Sequence, residues 1–195
     1  VKSYAKDFGL ECSILKCSFL SGNIQSAARK NRYELMTNWC KSNGISHLMV
    51  AHHRDDHAET VLMHLDRGSG IDGLIGIRPL IYVSGVYIFR PLLDFSKSEL
   101  LKYGNSKNLK WVNDPSNFNP KYKRTLFRNL LNLSENPDLL TRRISTVSRH
   151  ASKMLSAIHH YVKQAAVTCL EIYDFGYIEI DYQSFVSLPD EVGRS

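Results

Sequence analysis

Val50-Ala51-His52-His53-Arg54-Asp55-Asp56-His57-Ala58-Glu59-Thr60, running on to Arg67-Gly68-Ser69-Gly70, reads as strand, polar turn, helix and glycine loop. Ile45 to Ala51 is an apolar run after Asn43-Gly44, as expected of a short strand buried on both faces, and it ends abruptly in charge. From Ala58 the period becomes helical, with Ala58, Val61, Leu62 and Leu65 on one face. Asp56 and Glu59 fit a helix cap and its third residue, which sets both carboxylates near the positive end of the helix, and Gly68 supplies a C-terminal stop. In an open α/β sheet ligands lie beyond the carboxyl ends of the strands, so this polar cluster is placed for chemistry. Asp55, Asp56 and Glu59 put three carboxylates within one turn, more than a cap needs; such a group suits a hydrated magnesium ion or an ammonium group. The plainer alternative is a solvated helix start with an ordinary cap.

The surrounding composition allows a core. The 195 residues are 43% hydrophobic, enough for one domain of ordinary size and part of another. No run approaches 18 consecutive apolar residues, so a soluble protein without a membrane partner is expected. Cys12, Cys17, Cys40 and Cys169 lack paired spacing, which favours reduced thiols and a cytoplasmic location. The net charge of +6 is unevenly spread: residues 1–96 balance at +2, residues 97–153 at +8 and residues 154–195 at −4. A basic middle block fits a phosphate backbone, although many basic surfaces bind nothing.

Along the chain, residues 1–9 read as the end of a helix and Glu11 to Phe19 as a strand. Ile24, Ala28, Leu35 and Trp39 mark a helix ended by Asn43-Gly44. Leu80–Val83 and Val86–Arg90 flank Ser84-Gly85, which predicts a tight hairpin. Ser96-Lys97-Ser98-Glu99 is a capping box opening a further helix, and Leu109 to Val112 reads as a short strand. Asn113 to Asn117 is a polar loop, and Pro120 opens the next helix. From Pro137 onward apolar residues keep helical spacing to Ala165 or Cys169, predicting one helix of about 30 residues. Tyr177 to Asp181 alternates like an edge strand.

His53-x-Asp55-Asp56-x-x-Glu59-Thr60, with Arg67-Gly68-Ser69-Gly70-x-x-Gly73-Leu74-x-Gly76 after it, closely resembles the tRNA(Ile)-lysidine synthetase family, a branch of the PP-loop ATP pyrophosphatases. Ala28-Arg29-Lys30-Asn31-Arg32-Tyr33 resembles that family's preceding helix. Asp114-Pro115-Ser116-Asn117 with Tyr122-Lys123-Arg124-Thr125-Leu126-Phe127-Arg128 resembles its later polar motif, with Thr125 where asparagine is usual. The resemblance covers residues 20–135 well and the remainder loosely. It implies an α/β fold: a parallel-sheet, adenine nucleotide alpha-hydrolase-like (Rossmann-like) domain over residues 1–133. Residues 134–195 would form a connector helix and the start of a helical second, tRNA-substrate domain. The early Ser-Gly-Gly-x-Asp-Ser phosphate loop of PP-loop enzymes is missing, so the first strand and that loop are expected upstream of Val1, with truncation at both ends.

The implied activity is that of a carbon–nitrogen ligase. ATP adenylates carbon 2 of the wobble cytidine of tRNA(Ile), and free lysine then displaces AMP to give lysidine, with magnesium offsetting phosphate charge. The resemblance assigns Asp55 and Glu59 to the ammonium or to Mg2+, and His53 and Asp56 to shaping the site. Arg29, Arg32, Arg67, Gly68, Ser69 and Gly70 fall to the ATP phosphates. Asn117, Arg124, Arg128, Arg142 and Arg143 fall to tRNA; Arg124 and Arg128, four apart on one helix face, would otherwise read as a salt-bridged surface, and the resemblance favours anion contact over it. ATP, Mg2+, lysine and tRNA(Ile) are thus the expected ligands, with a homodimer left open. Three rivals stand beside this reading: a basic tRNA-binding module without catalysis, a tRNA thiolase of the same superfamily, and a zinc-dependent hydrolase. The four scattered cysteines argue against the thiolase. For the hydrolase, His52 to His57 superficially resembles a zinc motif, but Arg54 stands where a second histidine belongs.

Overall fold

The computed structural model describes residues 2–16, 24–111 and 123–193. The chain divides into two compact units that do not run in chain order: residues 1–51 with 79–91, and residues 52–78 with 92–195.

In the first unit, α1 (Lys2–Asp7) stops before Gly9, whose φ is +66°, and α2 (Ile24–Ser42) stops before Gly44 at φ +68°. The sheet holds β1 (His47–Met49), β2 (Leu80–Val83) and β3 (Val86–Phe89) in the order β1-β3-β2. Strands β1 and β3 pair in parallel, and β2 and β3 pair antiparallel. The parallel sheet that the resemblance implies is, among the described residues, a mixed one, which includes the hairpin expected at Ser84-Gly85. A two-residue connection can only join antiparallel neighbours, and Ser84-Gly85 does so with φ of +51° and +83°, the conformation that matches strand twist in a hairpin. Helix α2 packs on β1 and β3, burying Thr37 and Cys40, with Val86 and Ile88 fully buried.

Two expectations fail in this unit. β1 is not buried on both faces: Met49 is 70% exposed, and the ring row His47–Tyr87–Tyr82 lies exposed across the three strands. The side chains alternate because β1 is a paired strand with one covered face. Residues 11–16 form no strand, since no described strand pairs with them; residues 17–19 of that expectation lie outside the described residues.

The second unit holds α3 (Arg54–Leu65), α4 (Ile71–Leu74), α5 (Lys97–Ser106), α6 (Lys123–Asn132) and α7 (Pro137–Cys169). A hairpin of β4 (Leu170–Ile172) and β5 (Ile178–Ile180) comes next, then α8 (Tyr182–Val186) and α9 (Asp190–Gly193). Asn136 caps α7 by accepting from the Leu139 amide at 3.0 Å, and Pro137 takes the first helical position, where a missing N–H costs nothing. The helix then runs unbroken for 33 residues. Helix α3 packs on α6 and α7, and α4 on α7. The apolar contacts are Ala58 and Val61 of α3, Phe127 and Leu131 of α6, and a cluster of Ile75, Ala151 and Leu155 against Ile71 and Leu74. Ser134 to Asn136 is the turn between α6 and α7. The expected strand from Leu109 is absent through Trp111, and Val112 lies outside the described residues, as does the loop to Tyr122 with its expected helix start at Pro120.

Gly76 shows how tightly the segment after α4 approaches α3. Its φ is +62°, and a Cβ there would stand 2.7 Å from Val61 Cγ2 and 2.9 Å from His57 Cε1. Gly76→Ala combines a disfavoured backbone with a clash and should cost about 2 kcal/mol or more. In a chain of this size a thermal melt should then show a fall of about 4–8 °C; an unchanged melting temperature would contradict this packing.

Candidate functional site

The acidic stretch becomes the first turn of α3, three residues earlier than its sequence suggests. His53, not Asp56, is the N-cap: the Asp56 amide donates to His53 Nδ1 at 3.4 Å, and the His53 amide donates to Asp56 Oδ2 at 3.1 Å. A histidine ring thus takes the place of the usual hydroxyl or carboxylate in a reciprocal capping box. Asp55 and Asp56 occupy the first turn, where the helix dipole favours negative charge.

The three carboxylates then part company. Glu59, 1% exposed, accepts from Arg124 Nε at 2.5 Å, Arg128 Nε at 2.7 Å and Arg128 Nη2 at 3.3 Å. Asp56 Oδ1 accepts from Arg124 Nη2 at 2.8 Å. Asp55 turns the other way, with Oδ2 accepting from the Lys97 amide at the start of α5 at 2.8 Å and standing 3.6 Å from His53 Nδ1. Burial pushes the Asp55 carboxyl upward, but the His53 ring and the Lys97 amide outweigh it and hold the group below the usual carboxylate range. Asp55 is therefore ionised at neutral pH and only half-buried.

Arg54 is the residue that sequence reasoning missed. It is 5% exposed and reaches the Asp94 carbonyl from Nη1 at 2.8 Å; from Nη2 it reaches Asp138 Oδ1 at 2.6 Å and Glu99 Oε2 at 3.1 Å. A cation in the first turn of a helix opposes the dipole, and that misplacement is the signal that could have pointed to compensating carboxylates nearby. His57 is likewise buried, and its Nδ1 accepts the Ile77 amide at 3.1 Å, which requires the neutral ring.

The other expected site residues are spread more widely. Arg29 and Arg32 lie exposed on α2 in the first unit, Arg29 with its guanidinium 5.7 Å from the Tyr33 ring centre. Arg67, Gly68, Ser69 and Gly70 form an exposed loop after α3, with Gly68 at φ +71° and the Ser69 amide donating to the His64 carbonyl. Arg142 pairs with Asp138 at 3.5 Å and Arg143 is exposed on α7. Asn117 lies outside the described residues. Arg124 and Arg128 share a helix face as expected, and here that face meets protein carboxylates.

The expected Asp55–Glu59 magnesium pair does not fit. Both Glu59 oxygens already face guanidinium groups, which a dication would have to displace. Among the described residues no group of three His, Cys, Asp or Glu side chains could hold a metal. The zinc reading loses its distinctive ligand as well, because His57 Nδ1 is committed to a backbone amide.

This geometry has two measurable outcomes. Glu59→Gln strips the shared anion from two partly exposed arginines and should destabilise the chain by on the order of 2 kcal/mol, between the values for exposed and buried pairs; urea unfolding measures it. Burial pushes the His57 pKa below its ordinary value, with the Asp94 charge opposing. The unfolded chain therefore binds a proton below about pH 6.5 that the folded chain refuses, and stability falls as pH drops through that window, by at most about 1.4 kcal/mol per pH unit. His57→Gln should flatten that part of the urea-midpoint profile, and an identical slope in the variant would refute the buried neutral ring.

Residues 1–134 match the PP-loop domain family. Over 195 residues the chain is 48% identical to a tRNA(Ile)-lysidine synthase of Wolbachia sp. subsp. Brugia malayi and 46% identical to one of Wolbachia pipientis wMel, in each case across 98% of this chain and 45% of the relative. It is 42% identical to one of Anaplasma marginale, across 98% of this chain and 42% of that relative. The chain thus spans less than half the length of these curated relatives. Its fold is similar to that of the U34-tRNA thiolase NcsA from Methanococcus maripaludis, at a TM-score of 0.63 and 17% identity over 80% of this chain and 54% of that one. Motif, fold and relatives agree: the chain belongs to the PP-loop domain family, where its relatives are tRNA(Ile)-lysidine synthases.

Proposed function

We propose that this chain is the part of a tRNA(Ile)-lysidine synthase that carries the acidic side of the active site. ATP adenylates the wobble cytidine of tRNA(Ile) at the oxygen on carbon 2 and pyrophosphate leaves. The amine of free lysine, attacking in its neutral form, then forms a bond to carbon 2 as the carbon–oxygen bond breaks, AMP departs and the amine proton passes to solvent. Residues 1–133 belong to the nucleotide-binding domain, and α7 with the residues after it is the connector and the start of the tRNA-substrate domain. Arg29, Arg32 and the Arg67–Gly70 loop contact phosphates, while Asn117, Arg142 and Arg143 contact tRNA.

The observation that carries this reading is the half-exposed, ionised Asp55 beside Asp56 in the His53-capped turn. A carboxylate held below its usual pKa is a poor proton acceptor and a good partner for a cation. Asp55 therefore suits the ammonium of lysine, with Asp56 and His53 shaping the site. Glu59 holds Arg124 and Arg128 in place and does not meet the lysine itself. Metal ions that accompany ATP would offset phosphate charge, while both Glu59 oxygens stay with Arg124 and Arg128.

Asp55→Asn in the full-length protein tests the assignment. Incorporation of labelled lysine into tRNA(Ile) should fall about a hundredfold or more, the scale of losing a positioning charge at the reacting centre. Near-normal incorporation would remove Asp55 from the mechanism.

A further inference from the structure

Arg54 is a buried cation with no place in the chemistry described so far, yet its contacts surround the turn that carries it. Its amide donates to the Phe95 carbonyl at 2.9 Å, and its Nη1 to the Asp94 carbonyl at 2.8 Å. Glu99 Oε2, which it meets through Nη2, is the same oxygen that caps α5 by accepting the Ser96 amide at 2.6 Å. The next amide along, that of Lys97, is the one that donates to Asp55. The chain from Asp94 to Lys97 is thus held against the first turn of α3 by Arg54 on one side and Asp55 on the other. The same Nη2 also reaches Asp138, in the first turn of α7.

We propose that Arg54 is a positioning residue, which fixes the Asp55 carboxylate through the Asp94–Lys97 segment and ties that alignment to the root of α7 through Asp138. A guanidinium spreads its donors in a rigid planar fork, so three acceptors from three places in the chain determine one arrangement, which a flexible ammonium cannot do. The guanidinium itself is buried, so its own hydration is a poor substitute for these contacts, even though Glu99 and Asp138 reach solvent. Arg54 touches no substrate in this scheme and acts only on where Asp55 points.

The inference rests on the proposed lysine-ligating role of Asp55, and the experiment separates the two. In the full-length protein, lysidine formation and amide hydrogen exchange are measured for wild type, Arg54→Met, Arg54→Lys, Asp138→Ala and the Arg54→Met/Asp138→Ala pair. Misalignment on this scale costs about ten- to a hundredfold in rate. Arg54→Met should lose that much in kcat with the KM for tRNA within about twofold, and Arg54→Lys should recover only part of it. Asp138→Ala, at a partly exposed position that tolerates change, should lower kcat in the same direction and speed exchange at the Lys97 amide. The double variant should be no worse than Arg54→Met alone, because both act through one connection. A wild-type kcat in Asp138→Ala with unchanged Lys97 exchange would overturn the inference, whether or not Arg54→Met folds. So would single-variant losses that multiply in the pair, or losses confined to KM for tRNA. Wild-type protein that forms no lysidine would sink the functional reading instead, with the exchange data still deciding whether Arg54 positions the turn.

Discussion

Glu59 is the fixed point of the second unit. A fully buried carboxylate is tolerated only when its charge is met, and here two guanidinium groups from α6 meet it at 2.5 and 2.7 Å. That contact holds α6 against α3, and with Asp56 sharing Arg124 it also sets the rotation of the α3 first turn. The arrangement is charge-balanced locally: Glu59 and Asp56 answer Arg124 and Arg128, while Glu99 and Asp138 answer Arg54 and Arg142. Asp55 accepts the Lys97 amide and is the most exposed of the three acids in that stretch, which is why it is the one open to a cation from outside.

The two sets of ion pairs differ in what they can tolerate. Arg124 and Arg128 keep about 30% of their side-chain surface in contact with solvent, so loss of Glu59 leaves them partly hydrated. Arg54 has no such outlet at 6% side-chain exposure, and its carboxylate partners are the solvated members of their pairs. Within α3, buried charge is thus concentrated in the anion Glu59 and the cation Arg54, at opposite ends of its first two turns, and each is held by partners nearer the surface.

Much of this is legible from residue order. The hairpin at Ser84-Gly85, the capping box at Ser96-Glu99, the stop at Gly68 and the long helix from Pro137 all rest on local rules that burial elsewhere does not override. The family resemblance rests on spacing within α3 and the loop after it, and the relatives bear it out. What escapes is long-range. Glu59 reads as one more acid in an acidic turn until Arg124, 65 positions later, is known to lie beside it. Arg54 reads as noise in a histidine-rich stretch until Asp138, 84 positions on, is seen within 2.6 Å. The helix start is misplaced by sequence rules because a histidine rarely caps, and β1 is over-buried by them because a short apolar run says nothing of how many faces are covered.

The continuity of α7 sets a mechanical property of the unit. Its first half carries the buried residues Thr141, Ser148, Ala151 and, just past it, Leu155, while its last buried residue, Cys169, lies 14 residues further on, on the order of 20 Å along the axis. No proline or glycine softens that distance. The helix is consequently a lever arm with a clamped root. A tilt of a few degrees imposed on the clamped part sweeps the β4–β5 end through about 1 Å, and a load at that end returns to the root as torque without being absorbed on the way.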